Sequence, residues 1–162
     1  MHNDIKPENI MIQKDTYVPK LIDFGLTCTI NKVSKEQSEG KYPEDHCIRY
    51  AGTLLYVAPE YIKYKGLKIP ASDMWSLGVT LYTAATGNRL YKARNVQELI
   101  KEIKDFDNGP IPRLNTSNEL LNTIVNNLLL LNPSERLKPK DIVEMVDKNA
   151  RKPESMISRD RI

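Results

Sequence analysis

Apolar residues come in short runs over the first 25 positions and at helical spacing after Pro59. Ile10–Ile12 and Val18–Ile22 flank the polar stretch Lys14-Asp15-Thr16, so the two runs are predicted to pair as a short hairpin. From Thr27 to Tyr50 periodicity fades, and Ser34–Lys41 has the composition of a surface loop. Ser72 is placed to cap a helix running to about Thr86, with Gly87 just past its end. That helix carries Trp75, Val79, Leu81 and Tyr82 and holds its few charges at the start, which predicts burial on most sides.

A second helix is predicted from Asn95 to about Phe106, with Val96, Leu99, Ile100 and Ile103 on one face. Thr116-Ser117-Asn118-Glu119 has the pattern of a capping box ahead of an apolar stripe from Leu120 to Leu129. A last helix starts near Pro139 and carries Ile142, Val143 and Val146. The tail from Arg151 is charged and expected to fray. Nothing in the sequence repeats.

Composition narrows the class. The 162 residues are 40% hydrophobic, enough to build a core, and a length of this order suggests one domain. A net charge of +3, from 24 basic and 21 acidic residues, is too small and dispersed to indicate nucleic acid as a partner. No apolar run approaches the length of a membrane span, and the opening Met-His-Asn-Asp-Ile-Lys has no apolar stretch of a secretory signal. Cys28 and Cys47 are too few for a disulfide framework and are expected to be ordinary thiols in a reducing, cytoplasmic setting.

Three segments gather polar residues beside apolar strands, where packing would not call for them: His2–Asn9, Asp23-Phe24-Gly25, and Gly52–Glu60. A hairpin between Asn9 and Asp23 would bring two hard oxygen donors to its open end, a pairing suited to Mg²⁺, which takes its other ligands from phosphate and water. Asp4 shares a loop with Asn9, within reach of a substrate hydroxyl, and Lys6 adds a positive charge two residues on.

On these residues the chain resembles the eukaryotic-type protein kinase family, and within it the Ser/Thr branch. His2-Asn3-Asp4-Ile5-Lys6-Pro7-Glu8-Asn9 is similar to the catalytic loop, Asp23-Phe24-Gly25 to D-F-G and Ala58-Pro59-Glu60 to A-P-E, in the family's order. Asp73-Met74-Trp75-Ser76-Leu77-Gly78 resembles the opening of the family's central helix, and Arg136 stands where the family keeps an arginine paired with the A-P-E glutamate.

The resemblance implies an α+β kinase-like fold: a mainly helical C-terminal lobe with a short β-hairpin, over residues 1–148, with 149–162 as a flexible charged tail. It implies ATP γ-phosphoryl transfer to protein Ser or Thr. Asp4 would accept or orient the substrate hydroxyl's proton, Lys6 would offset phosphoryl charge, and Asn9 and Asp23 would hold Mg²⁺. Thr53 would bond toward Asp4 and Lys6, and Tyr56 would help form the floor beside the acceptor residue. His2 reads as structural, packed under Asp23-Phe24-Gly25. Asp73 would hold the catalytic loop's backbone, or serve only as an acid favoured by a helix N-terminus. Glu60 with Arg136 would pin the activation segment.

The sequence departs from the family in two places. Asn3 stands where most members have an arginine that pairs with a phosphorylated activation segment, and Cys47–Ala51 contains no Ser or Thr. The expectation is a segment not switched by Ser/Thr phosphorylation close to Gly52. The family's Gly-rich loop, phosphate-binding lysine and adjoining helix glutamate precede the catalytic loop, and these 162 residues contain no G-x-G-x-x-G. The expectation is an incomplete domain without its N-terminal lobe, inactive as an isolated chain, with Met1 an internal methionine of a longer frame or the product of a split or truncated gene. Without the long helix that the family packs there, the helix around Trp75 is expected to expose apolar surface. The implied partners are a protein substrate and either a separate chain supplying that lobe or a regulator. The alternatives are a non-catalytic kinase-like binding fragment and a degraded product with no stable fold.

Overall fold

The structure is a computed structural model describing residues 1–28, 52–64, 66 and 69–151. A small hairpin stands on a helical body. Strands β1 (Ile10–Ile12) and β2 (Pro19–Leu21) pair antiparallel, with Ile10 opposite Leu21 and Ile12 opposite Pro19. The polar turn closes as Gln13 and Val18 bond across its base, Gln13 N–H to Val18 O at 3.0 Å. β2 stops one residue short of its apolar run at each end, and just beyond it the Ile22 N–H bonds to Asn9 O at 2.9 Å in the same register.

Among the described residues five α-helices follow: α1 (Pro59–Lys63), α2 (Pro70–Thr86), α3 (Val96–Asn108), α4 (Glu119–Leu128) and α5 (Pro139–Ala150). α2 begins two residues before Ser72, with Pro70 at its first position and Ile69 as the capping residue. Ser72 therefore sits inside the first turn, where its hydroxyl still accepts the Ile69 N–H at 3.2 Å. Gly87 ends the helix in the left-handed conformation at φ 69°, as the sequence predicts.

α3 opens on Asn95, whose side chain accepts the Glu98 N–H at 2.9 Å. The capping box expected over 116–119 is not formed. Asn118 caps α4 by accepting the Leu121 N–H at 3.0 Å, while Thr116 uses its N–H and hydroxyl on Asn122 Oδ1, both at 2.9 Å. Asn caps well and lies closer to the first free donors, so Thr116 is released to latch the loop.

α2 is the axis of the body. Its Trp75 and Val79 side meets Tyr91, Leu99, Ile103, Leu114 and Val125 in the main core, where Tyr91 stacks between Trp75 and Phe106 at centroid distances of 6.3 and 5.8 Å. Each fully buried aliphatic side chain here contributes roughly 1.5–3 kcal/mol of transfer free energy. On the other side, Met74 packs with Ile124 and Leu128, and with the half-buried Ile142 and Met145 of α5. Val143 and Val146 of the same helix are exposed, and Met145, three positions from Ile142, completes the packed stripe. α2 and α4 approach closely at Gly78, where an added Cβ would lie 2.8 Å from Leu128 Cβ.

One apolar face is left open. Met1, Ile5, Leu21, Met74, Leu77 and Ile142 line a groove of about 910 Å³ beside α2. Along α2 itself Met74 is buried and Leu77 half-buried, and none of the exposed large apolar side chains belongs to this helix. Met11, Ile12, Tyr17 and Phe24 are exposed on and beside the hairpin. No described helix is long and apolar enough to cross a membrane. Cys28 is disulfide-bonded rather than the ordinary thiol expected. The expected loop at 34–41, the 47–51 stretch and the tail beyond Arg151 lie outside the described residues.

Candidate active site

Asp4 is the centre of the polar cluster. The chain turns through a 3₁₀ turn at Pro7–Asn9, closed by Asn9 N–H on Lys6 O at 3.0 Å, which folds Asn9 back over Asp4. The buried Asn9 carboxamide gives both hydrogens to Asp4, one to its carbonyl at 2.8 Å and one to Oδ2 at 3.0 Å. With its donors committed, the carboxamide oxygen is the atom left to face outward.

Lys6 Nζ lies 2.7 Å from Asp4 Oδ2 and donates to Thr53 Oγ1 at 2.8 Å. Thr53 in turn gives both its hydroxyl (2.9 Å) and its N–H (3.1 Å) to Asp4 Oδ1. Both carboxylate oxygens are thus engaged by donors from three residues. Burial pushes the Asp4 pKa up, but the Lys6 and Thr53 hydrogen bonds and the Lys6 charge outweigh it, and the net shift is downward.

The loop is held from beneath by α2. Asp73 accepts the N–H groups of His2 at 2.7 Å and Asn3 at 2.8 Å, so it does more than complement its own helix. His2 is buried; its Nδ1 accepts the Asp4 N–H at 3.3 Å, which leaves Nε2 to donate to Ile22 O at 3.0 Å. Its ring meets Phe24 edge-on, with centroids 5.1 Å apart. His2 thereby ties the His2–Asn9 loop to the end of β2.

Asp23 follows directly. It is exposed, has φ 60°, and accepts the Gly25 N–H at 3.2 Å. Asn9 and Asp23 flank the open end of the hairpin, as the antiparallel register requires, since Ile22 bonds to Asn9. One carboxylate and one outward carboxamide oxygen are a hard donor set that fits Mg²⁺. Among the described residues no group of three His, Cys, Asp or Glu side chains comes together, so such an ion would need phosphate or water for its remaining ligands.

Gly52–Glu60 brings the chain back to this loop. Tyr56 lies in a second 3₁₀ turn, Leu54–Tyr56, whose last carbonyl accepts the Ser76 hydroxyl at 2.7 Å. Burial, and then the nearby Glu8 carboxylate, raise the Tyr56 phenol's pKa. Glu60 and Arg136 are both buried, and the guanidinium also donates to Leu130 O and Ala71 O, each at 2.8 Å. Ser72 adds its hydroxyl to Glu60 Oε1 at 2.9 Å. Sequence reasoning missed Ser72 and Ser76 as ties to this segment. The signal was their four-residue spacing on one helix face.

The comparisons with known proteins agree with the motif order. The model of the protein kinase domain matches residues 1–146. The chain belongs to the eukaryotic-type protein kinase family. It is 34% identical over 139 residues, 86% of its length, to the serine/threonine-protein kinase RUNKEL of Arabidopsis thaliana. It is 31% identical over 150 residues, 83% of its length, to the serine/threonine-protein kinase RAD53 of Saccharomyces cerevisiae. These matches span only 9% and 17% of the two relatives' own lengths.

Proposed function

We propose that these residues form the acceptor-side half of a protein Ser/Thr kinase site. The observation that carries this reading is the closed set of bonds joining Asp4, Lys6 and Thr53. In it a carboxylate of lowered pKa and a cation sit where a hydroxyl and a phosphoryl group would meet. The hydroxyl oxygen of a protein Ser or Thr would form a bond to the γ-phosphorus of ATP. The bond from that phosphorus to the bridging oxygen breaks, ADP leaves, and the hydroxyl proton passes to Asp4. Lys6 offsets charge on the transferred group, and Thr53 fixes the positions of both. Asn9 and Asp23 would hold Mg²⁺, which neutralises phosphate charge when bound. Tyr56 would support the substrate backbone, and Asp73, His2, Glu60 and Arg136 hold the frame.

The Gly-rich loop and phosphate-binding lysine are not among the 162 residues, so nucleotide contacts of that kind must come from outside them. The groove along α2 and the exposed Met11, Ile12 and Phe24 support a protein surface covering this side, from a longer chain, a second chain or a regulator. The same surface favours the second reading, a kinase-like fragment that binds without catalysis.

Phosphotransfer from ATP to a generic basic protein separates the readings. The chain alone is expected to be inactive, and joining a kinase N-terminal lobe ahead of Met1 is expected to give transfer that Asp4→Asn abolishes. Activity of the chain alone, lost in Asp4→Asn, would refute the need for an outside part. No transfer from the joined protein would favour the binding reading.

A further inference from the structure

We propose that Asn3 is a positioning residue that holds Leu26–Cys28 and Gly52 in register with the catalytic loop through uncharged contacts. Asn3 has φ 70°, a left-handed conformation that asparagine adopts more readily than most residues. This turn sends its three polar groups three ways. The N–H goes to Asp73 Oδ1, the carbonyl faces Gly52, and the carboxamide donates to Leu26 O at 2.8 Å and Cys28 Sγ at 3.1 Å.

Leu26 and Cys28 are thus held by the side chain. Gly52 is held by close approach, since a Cβ there would lie 3.0 Å from Asn3 O and its φ is +113°. Only glycine accepts both conditions at little cost. The next residue on each strand of this contact is Asp4 on one side and Thr53 on the other, and these two share the bonds at the centre of the site. Moving Asn3 would therefore move Thr53 relative to Asp4.

All donors and acceptors on the Asn3 side chain are neutral, so the contact carries no charge of its own. Reversing the polarity of the amide should break it, because a carboxylate would face the Leu26 carbonyl. The consequence for catalysis rests on the phosphotransfer reading; the contact itself does not.

The test uses the full chain, labelled with ¹⁵N and ¹³C, with Asn3→Gly and Asn3→Asp. Glycine keeps the left-handed backbone and removes the amide; aspartate keeps the shape and reverses its donors. In the parent chain the Asn3 carboxamide protons are expected to exchange slowly and to couple across the hydrogen bond to the Leu26 carbonyl carbon. In both variants the Cys28 and Thr53 amides, bonded to Met1 O and Asp4, are expected to lose about tenfold in exchange protection while α4 amides keep theirs. A solvent-like Asn3 carboxamide in the parent overturns the proposal, and this readout stands even if neither variant folds. Unchanged protection in Asn3→Gly overturns it too, as does a loss spread evenly through α4. None of these readouts needs nucleotide, so absent phosphotransfer and a failed positioning role give different results.

Discussion

Glu60 and Arg136, 76 positions apart, meet through two parallel contacts of 2.7 Å, and neither side chain is open to solvent. Arg136 also lies over the Trp75 ring, 5.1 Å from its centroid. The pair joins the segment after the candidate site to the start of α5 and to the main core.

Removing one member strands the other as a buried charge. Arg136→Met or Glu60→Met should each lower stability by about 3–5 kcal/mol, read by urea unfolding. The double Met variant should cost less than the two single losses added together, because it strands no charge.

Asp4 has a folded pKa below its unfolded value near ~3.9, so its ionised form favours the folded state. That contribution is fully present above the unfolded value and is lost as pH falls through the lower folded value. Lys6→Met should raise the Asp4 midpoint, since it removes the hydrogen bond and the charge that outweigh burial. A ¹³C carboxyl titration of both proteins checks this, and an unmoved midpoint would count against it.

Thr53→Val keeps the shape and removes the hydroxyl shared by Lys6 and Asp4. In a chain completed for phosphotransfer, turnover should fall by about ten- to a hundredfold, the worth of a charge-assisted bond. Thr53→Ser should keep most of it.

Two glycines should respond differently to alanine. At Gly78 the added Cβ meets Leu128 Cβ at 2.8 Å, a neighbour fixed close to its own backbone. Overpacking of about 1–3 kcal/mol outweighs the gain of about 1 kcal/mol in helix propensity, so thermal stability falls. At Gly87 nothing lies within 4 Å, and Gly87→Ala should lose about 1–2 kcal/mol from its φ of +69° alone. Shortening Leu129 should not rescue Gly78→Ala, because the limiting contact is with Leu128.

Much of this architecture was legible because local signals and tertiary demands coincide. Ile10–Ile12 and its partner run pair where the pattern put them, and the Asn95 start and Gly87 stop are decided by backbone groups near in sequence. Where choices compete, pattern alone misleads. Thr116 and Asn118 are both good caps, and only the loop's bonds to Asn122 and Asn126 decide between them. Val143 and Val146 look like core until the direction of α5 against α4 is known. At the candidate site, motif order brings Asp4, Lys6, Asn9 and Thr53 to notice. The amide of Asn3 could not be read in advance, because its partners Leu26 and Cys28 bind through groups that residue identity does not advertise.

Ser72, Asp73 and Ser76 project from little more than one turn of α2 and reach two segments: Gly52–Glu60, at Glu60 and Tyr56, and the His2–Asn3 backbone. A slip of that helix by one residue would rotate all three by about 100° and break every tie at once. The candidate site therefore has no half-assembled form in which one segment is docked and another loose. It should gain and lose its geometry as a single cooperative unit, at the denaturant concentration where α2 itself gives way.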